Sequence, residues 1–437
     1  GRLEPSQSFS KKTMPFASSR CQIFPPPSYT ADKQTEALLQ RQSKNFALFS
    51  NNLYHEPAMS KTDKERLLVA LSGGVDSSVS AALLKDQGHE IEGVYVRTWE
   101  HEEDLLGDCP GAKDLADAEA VAEALGIPFR VVNFVDFYHR EVVLPMVSGY
   151  EQGITPNPDV LCNRSMKFGA LLEFARENDF DGLATGHYCI RKNSPEGKPE
   201  LWEGRDKNKD QSYFLARITG GQLSGARFPL GEIEKPKVRE IARELDLPVA
   251  EKKDSQGICF LGKVKVPEFL SNFIEDKPGE IVTTEGKTVG RHQGLHRYTL
   301  GQRRGIGVPS NTDNENFVVT GKDEATNSLI VAFESRDEAT LWGTRYEIEN
   351  LSFLQDEPLT GEVELLGKAR YRDPSVSLSF RSLGSARAEI LFDQPQRALT
   401  PGQVLALYDG ERLLGGGTYV LSGFGRADQS APATISA

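Results

Sequence analysis

The heptapeptide Ser72-Gly73-Gly74-Val75-Asp76-Ser77-Ser78 combines glycines, hydroxyls and one carboxylate in a pattern suited to holding phosphates. Glycine lets the backbone approach an anion, and a helix start offers unpaired N–H groups and a positive dipole end. Ser72, Ser77 and Ser78 add hydroxyl donors. The Gly-Lys-Ser/Thr ending of a Walker loop is absent, and an ordinary glycine-rich turn is the plain alternative. Two further motifs each carry a cysteine: Asn157-Pro158-Asp159-Val160-Leu161-Cys162-Asn163 and Asp254-Ser255-Gln256-Gly257-Ile258-Cys259-Phe260. Taken alone, Cys162 or Cys259 reads better as a small buried hydrophobe than as a reactive thiol.

The flanking residues indicate what positions the loop. The apolar run Leu67–Leu71 reads as a buried strand, and Val79–Lys85 reads as a helix ending near Gly88. Further strand-like runs fall at 66–71, 91–96, 129–135 and 181–187. Helical runs lie between them at Asp114–Leu125 and Phe168–Phe180; Leu115, Ala118, Ala122 and Leu125 share one helical face. Strands alternating with helices predict a parallel sheet covered on both faces, with ligands bound beyond the carboxyl ends of the strands. The texture changes after about residue 225. Helices are expected at Lys237–Leu245 and Pro267–Ile274. From Pro278 short β-rich runs follow at Ile281–Thr284, Phe317–Thr320, Leu329–Ala332, Glu362–Leu366, Ser375–Phe380, Val404–Tyr408 and Gly416–Leu421, which suggest small barrels or sandwiches.

Composition bounds the function. The chain has 437 residues, 38% hydrophobic and 26% charged, with a net charge of −12. That balance suits a soluble globular protein and argues against sequence-independent coating of nucleic acid, though not against a local basic face. No run approaches a membrane span. The five cysteines, Cys21, Cys109, Cys162, Cys189 and Cys259, include no C-x-x-C pair, so a zinc ribbon is not expected. So sparse and odd a set suits reactive thiols better than a disulfide scaffold. The first 28 residues hold six serines, four basic residues and one acid, Glu4. An organelle transit peptide (chloroplast or mitochondrion) and a disordered tail both fit; without a transit peptide the protein would be cytoplasmic.

The loop at Ser72–Ser78 resembles the pyrophosphatase loop (PP-loop) of enzymes that cleave ATP between its α and β phosphates. With the two cysteine motifs it resembles the bacterial and organellar tRNA-specific 2-thiouridylases, from about Arg66 to about Leu421. Further matches are Thr185-Gly186-His187-Tyr188, Lys209-Asp210-Gln211-Ser212-Tyr213-Phe214, Gly294-Leu295-His296-Arg297-Tyr298-Thr299-Leu300-Gly301-Gln302-Arg303 and Thr400-Pro401-Gly402-Gln403. The resemblance implies an α/β fold: a parallel-sheet PP-loop domain at 66–225, a small central tRNA-binding domain at 226–345 and a C-terminal β-barrel at 346–425. An extension at 1–65 and a tail at 426–437 flank these units.

The resemblance also implies a reaction. ATP adenylates O2 of a tRNA wobble uridine (glutamate, lysine or glutamine type), pyrophosphate leaves, and a persulfide delivers sulfur to C2 with loss of AMP. By resemblance Ala70, Leu71, Ser72, Gly73, Gly74, Val75, Asp76, Ser77, Ser78, Val96 and Gly186 bind ATP. Val96 stands where the family often has Met, which keeps an apolar wall with less reach. Asp76 would help organise a Mg²⁺ ion, since a carboxylate plus phosphate oxygens is the usual arrangement. Cys259 would carry the persulfide from an upstream donor, a cysteine desulfurase or relay protein. Cys162 would then complete the transfer, leaving a transient Cys162–Cys259 disulfide. The attacking sulfur must be a thiolate; Arg164 and Lys167 could supply the positive neighbourhood that favours it.

By the same resemblance Asn157, Pro158 and Asp159 meet the flipped base, while Lys209, Asp210, Gln211, Arg370 and Tyr371 contact tRNA. Asn157 alone also suits an Asx-Pro turn, and His187 suits packing as well as chemistry. Basic groups at Arg291–Arg304, Lys368–Arg372 and Lys235–Arg239 could meet phosphates; a solvated surface is the alternative for the last. No DNA and no membrane partner is expected. Three other readings remain: a PP-loop enzyme that attaches nitrogen and needs neither cysteine; an iron–sulfur cluster on Asp159, Cys162 and Cys259, which is not favoured; and a non-catalytic tRNA-binding protein.

Overall fold

A computed structural model describes residues 64–99, 110–254, 265–308, 316–333 and 341–420. Cys259 and the N-terminal extension lie outside the described residues, as do Cys21 and Cys109.

The first unit grows from β1 (Arg66–Ala70), whose three central residues are fully buried. After the loop comes helix α1 (Val75–Asp86), then β2 (Glu90–Arg97), α2 (Pro110–Leu125) and β3 (Phe129–Asn133). Helix α3 runs continuously through Val135–Tyr138, His139–Val143 and Leu144–Glu151, and α4 through Pro158–Leu161, Cys162–Leu171 and Leu172–Glu177. The middle segment of each is wound in wider, π-type turns, which are common near functional sites. Next come β4 (Gly182–Ala184), the hairpin β5 (Cys189–Asn193) and β6 (Pro199–Glu203), the short α5 (Gly220–Ser224), β7 (Ala226–Arg227) and α6 (Lys235–Glu244).

The sheet is parallel throughout in the order β3-β2-β1-β4-β7. The chain winds outward from β1 through β2 to β3, then crosses back to place β4 on the other side of β1. Strand order therefore reverses at β1, and in open parallel sheets the ligand crevice lies at such a point, beyond the carboxyl ends. The loops after β1 and β4 flank it.

The unit extends past the division expected at 225. Val238, Ile241, Leu245, Leu247 and Val249 join the core formed by Leu67, Val69, Val75 and Val79. The expected strand at 181–187 is shorter, because the chain turns off at Thr185 to bring Gly186 against the loop.

The second unit begins with α7 (Val266–Leu270). Its sheet contains β8 (Gly279–Thr283), β9 (Thr288–His292), β10 (Phe317–Asp323) and β11 (Ser328–Phe333) in the order β10-β11-β8-β9. The third contains β12 (Trp342–Phe353), β13 (Glu362–Lys368), β14 (Val376–Gly384), β15 (Arg387–Arg397), β16 (Val404–Asp409) and β17 (Arg412–Tyr419). The order β12-β15-β14-β13-β16-β17, with β17 pairing back to β12, closes a six-stranded antiparallel barrel. Ile348, Leu378, Phe380, Ile390, Leu405 and Leu407 fill it. Hairpin β5–β6, from the first unit, adds to its β17 edge through Leu201 and Trp202. No described helix is long and apolar enough to cross a membrane.

Candidate active site

The loop after β1 is built as a cradle. Gly73 has φ +69°, and a β-carbon there would sit 2.3 Å from the Asp114 carbonyl oxygen, so only glycine fits. Gly74 precedes the first residue of α1 in an extended conformation. The Ser72 N–H donates to Ser77 Oγ at 3.2 Å, while the Ser77 and Ser78 hydroxyls donate to the Gly74 carbonyl at 3.1 and 2.8 Å. These bonds curl the loop over the start of α1. Gly186, from the loop after β4, closes the other wall: a β-carbon there would lie 2.9 Å from both Asp76 C and Ser77 N.

Asp76 has other partners than a metal. Its Oδ1 accepts from the Tyr188 hydroxyl at 2.7 Å and from Lys235 Nζ at 2.6 Å. Lys235 also pairs with Asp254 at 2.9 Å, and Asp254 binds Lys209 at 2.8 Å and Arg239. Burial would raise the Asp254 pKa, but Lys209 and Lys235 outweigh it and hold the carboxyl well below the usual carboxylate range. Burial, then the neighbouring Asp76 carboxylate, pushes Tyr188 far above an ordinary phenol, so it stays a donor. Among the described residues no three His, Cys, Asp or Glu side chains converge as a metal cage. A single carboxylate such as Asp76 still fits Mg²⁺, which takes one or two protein carboxylates plus substrate phosphates.

Asp254 opens the motif that carries Cys259. The sequence marked neither it nor Lys235 as part of the loop, because 159 residues separate Lys235 from Asp76. The sequence leaves Lys235–Arg239 open between phosphate contact and a solvated surface. Lys235 and Arg239 point inward to carboxylates, and Lys235 is buried.

On the other flank, Lys252 Nζ donates to the Gly73 carbonyl at 2.9 Å and to Asp114 at 2.7 Å. It also contacts Asp117.

Cys162 lies on α4, one turn after Asn157 starts that helix. It is 2% exposed and shares a cluster with Met166, four residues on, and with Tyr138, Val142, Phe269 and Leu270. Val96, at the carboxyl end of β2, packs against this cluster and also against the one containing Val160 and Phe168. Val96 thus links the strand ends beside the loop to the cysteine helix. Lys167 also acts on His187, and Arg164 on Arg217, a buried guanidinium pulled down to about 10 by burial and then by Arg164.

Asn157 caps α4, its Oδ1 accepting from the Val160 N–H at 3.2 Å. That is the structural role the Asx-Pro alternative describes. Pro158 is buried behind it and Asp159 is half-exposed. His187 packs between Phe168 and Phe228, with Nδ1 2.8 Å from Thr185 Oγ1; burial, then Lys167, drives its pKa well below the ordinary value. It is a neutral packing residue. Burial, then Asp210, keeps the Cys189 thiol protonated.

The residues expected to meet tRNA divide. Asp210 is buried: it accepts from Ser212 Oγ at 2.9 Å and the Gly204 N–H at 3.0 Å, and pairs with Lys368 at 3.0 Å. Gln211 is likewise a staple, its Oε1 accepting from the Tyr188 N–H. Arg370 donates to the Arg397 and Ala398 carbonyls. Tyr371 is half-exposed, 4.3 Å from the Phe214 ring, and lines a cavity of about 300 Å³ with Lys207, Asn208 and Arg372. Of the glycine- and arginine-rich motif, Arg297 is paired with Asp276, while Arg303 and Arg304 are exposed.

Three family models match the chain in order. They are described as a tRNA methyl transferase HUP domain over residues 65–263, a tRNA methyl transferase PRC-barrel domain over 267–333 and an aminomethyltransferase beta-barrel domain over 344–419. A protein of Akkermansia muciniphila named tRNA-specific 2-thiouridylase MnmA is 49% identical over 354 residues, covering 81% of this chain and 98% of that protein. One of the same name from Escherichia coli O1:K1 is 45% identical over 362 residues, covering 82% and 97%.

Proposed function

The chain belongs to the tRNA-specific 2-thiouridylase family, and from that premise we propose that it is an ATP-dependent sulfurtransferase acting on the wobble uridine of tRNA. The observation that carries this reading is the meeting of a phosphate cradle and a buried cysteine helix at the carboxyl ends of β1 and β2, joined through Val96.

The chemistry needs both parts. The C2 oxygen of uracil is a poor leaving group. Attack of that oxygen on the α-phosphorus of ATP forms an O–P bond and breaks the bond to the β-phosphate, so pyrophosphate leaves with the electron pair. Loop amides and the Ser72, Ser77 and Ser78 hydroxyls would hold the phosphates, and Gly186 leaves room for the nucleotide. Mg²⁺, when bound at Asp76, would screen phosphate charge.

In the second half a persulfide on Cys259 would attack C2, AMP would leave with the former O2, and Cys162 would take up the bond to the Cys259 sulfur as a disulfide. Reduction restores the thiols. Tyr371 beside Phe214 offers a stacking platform. Glutamate, lysine and glutamine tRNAs are the proposed substrates, a cysteine desulfurase or relay protein the donor, and an organelle the proposed location.

Methyl transfer, which the domain descriptions raise, gives the phosphate cradle no task. The deciding experiment incubates the full chain with unmodified glutamate tRNA, Mg-ATP and sulfide or a desulfurase, and measures 2-thiouridine by nucleoside mass spectrometry. Thiouridine that requires ATP and Cys162 supports the reading. Methylated uridine, or no ATP turnover with any of the three tRNAs, sinks it.

A further inference from the structure

We infer that Lys235 is the cation of the phosphate site, receiving the β,γ end of the nucleotide and the pyrophosphate it becomes. This rests on the reading of Ser72–Ser78 as a nucleotide loop and adds a residue to it. A Walker loop carries its own lysine for the β- and γ-phosphates; this loop has none. Breaking the α–β bond leaves an additional negative charge on pyrophosphate, so a nearby ammonium favours the transition state over the bound nucleotide.

Among the described residues two lysines touch the loop and its following carboxylate, and they differ. Lys252 grips the Gly73 carbonyl and faces two carboxylates, Asp114 and Asp117. Lys235 reaches Asp76 in the first turn of α1. On its side Lys209, Lys235 and Arg239 face Asp76, Asp254 and Asp206, the last accepting the Lys235 N–H at 3.0 Å. Three cations against three carboxylates is a less negative setting than one against two.

A second feature points the same way. Lys235 is the first residue of α6, a ten-residue helix, so the positive end of that helix adds to the ammonium. The Lys235 side chain is 9% exposed, which strengthens any charge contact it makes. Its Nζ lies over the Tyr188 ring, 5.9 Å from the centroid. An incoming polyphosphate would meet an ammonium already fixed in place.

The test uses the full chain and two probes, Mg-pyrophosphate and AMP, read by calorimetry. AMP lacks the β,γ end, so it reports the rest of the site. Wild type should bind both. Lys235→Met should weaken pyrophosphate about tenfold or more with AMP within about twofold, and Lys235→Arg should recover most of the loss. Pyrophosphate release should fall in kcat as well as in kcat/KM. Unchanged pyrophosphate affinity in folded Lys235→Met overturns the inference while leaving the nucleotide site standing. Wild type that binds neither probe overturns both. If Lys235→Met does not fold, Asp254→Asn decides: with one counter-charge removed, pyrophosphate should bind a few-fold tighter, and unchanged or weaker binding overturns the proposal.

Discussion

A β-carbon on Gly186 would lie 2.9 Å from the carbonyl carbon of Asp76, so the loop after β4 is pressed directly against the first turn of α1. The contact is backbone to backbone and no flexible side chain can yield. Gly186→Ala must therefore move the phosphate loop. The expected result is at least about a tenfold loss of pyrophosphate release, since sub-ångström misplacement is costly at a reacting centre. A folded Gly186→Ala protein with wild-type pyrophosphate release would show that this wall is not part of the site.

The two described cysteines should separate cleanly. Cys162 sits with the helix that Val96 connects to the strand ends, whereas Cys189 opens β5 with its thiol kept protonated by burial and by Asp210. Cys162→Ser should abolish thiouridine formation and preserve ATP-dependent pyrophosphate release. Cys189→Ser should keep both and lose about 1–2 kcal/mol of stability from burying a hydroxyl. Parallel nucleoside mass spectrometry and a pyrophosphate assay read the pattern, and loss of thiolation in Cys189→Ser alone would reverse the assignment.

Lys368 reaches from the end of β13 to two buried carboxylates of the first unit, Glu203 at 2.8 Å and Asp210 at 3.0 Å. Burial would raise the Glu203 pKa, but Lys368 and Lys207 hold it below the usual range. Removing the ammonium leaves two charges without it in a place that exposes 10% of Glu203 and 4% of Asp210. Lys207 still holds Glu203 at 2.9 Å, so Lys368→Met strands mainly Asp210 and should cost about 1–3 kcal/mol. A urea midpoint unchanged from wild type would mean that the barrel and first unit are joined by other contacts.

The loop, its strand and its helix were legible because their signal is local: apolar run, glycines, hydroxyls and helix follow one another from Leu67 to Leu84. The barrel was only partly legible. In β12 the alternation breaks at a register shift between Glu349 and Ser352, in β15 the alternating Ala388, Ile390 and Phe392 lie among charged and polar neighbours, and hairpin β5–β6 has its barrel partner far away at residues 412–413. Charged residues were the least legible. Lys235, Arg239 and Asp210 are each turned inward by an ion-pair partner, at Asp76, Asp254 and Lys368, that nothing beside them in the sequence announces. Family resemblance found Gly186, but only the close approach to Asp76 explains why it must be glycine.

His187 gives the fold an acid limit. It is buried between two phenyl rings, and burial followed by Lys167 lowers its folded pKa well below the unfolded value near 6.5. With the folded pKa depressed, the unfolded chain binds the extra proton first. Stability is therefore full above about pH 6.5 and falls as pH drops below it, by up to about 1.4 kcal/mol per pH unit for this one group. His187→Gln keeps a polar atom for Thr185 and cannot take the proton. Thermal melts from pH 7.5 to 5 should show a steeper decline in wild type than in His187→Gln. Parallel declines would mean that carboxylate pairs, such as those at Asp254 and Glu203, set the acid limit instead.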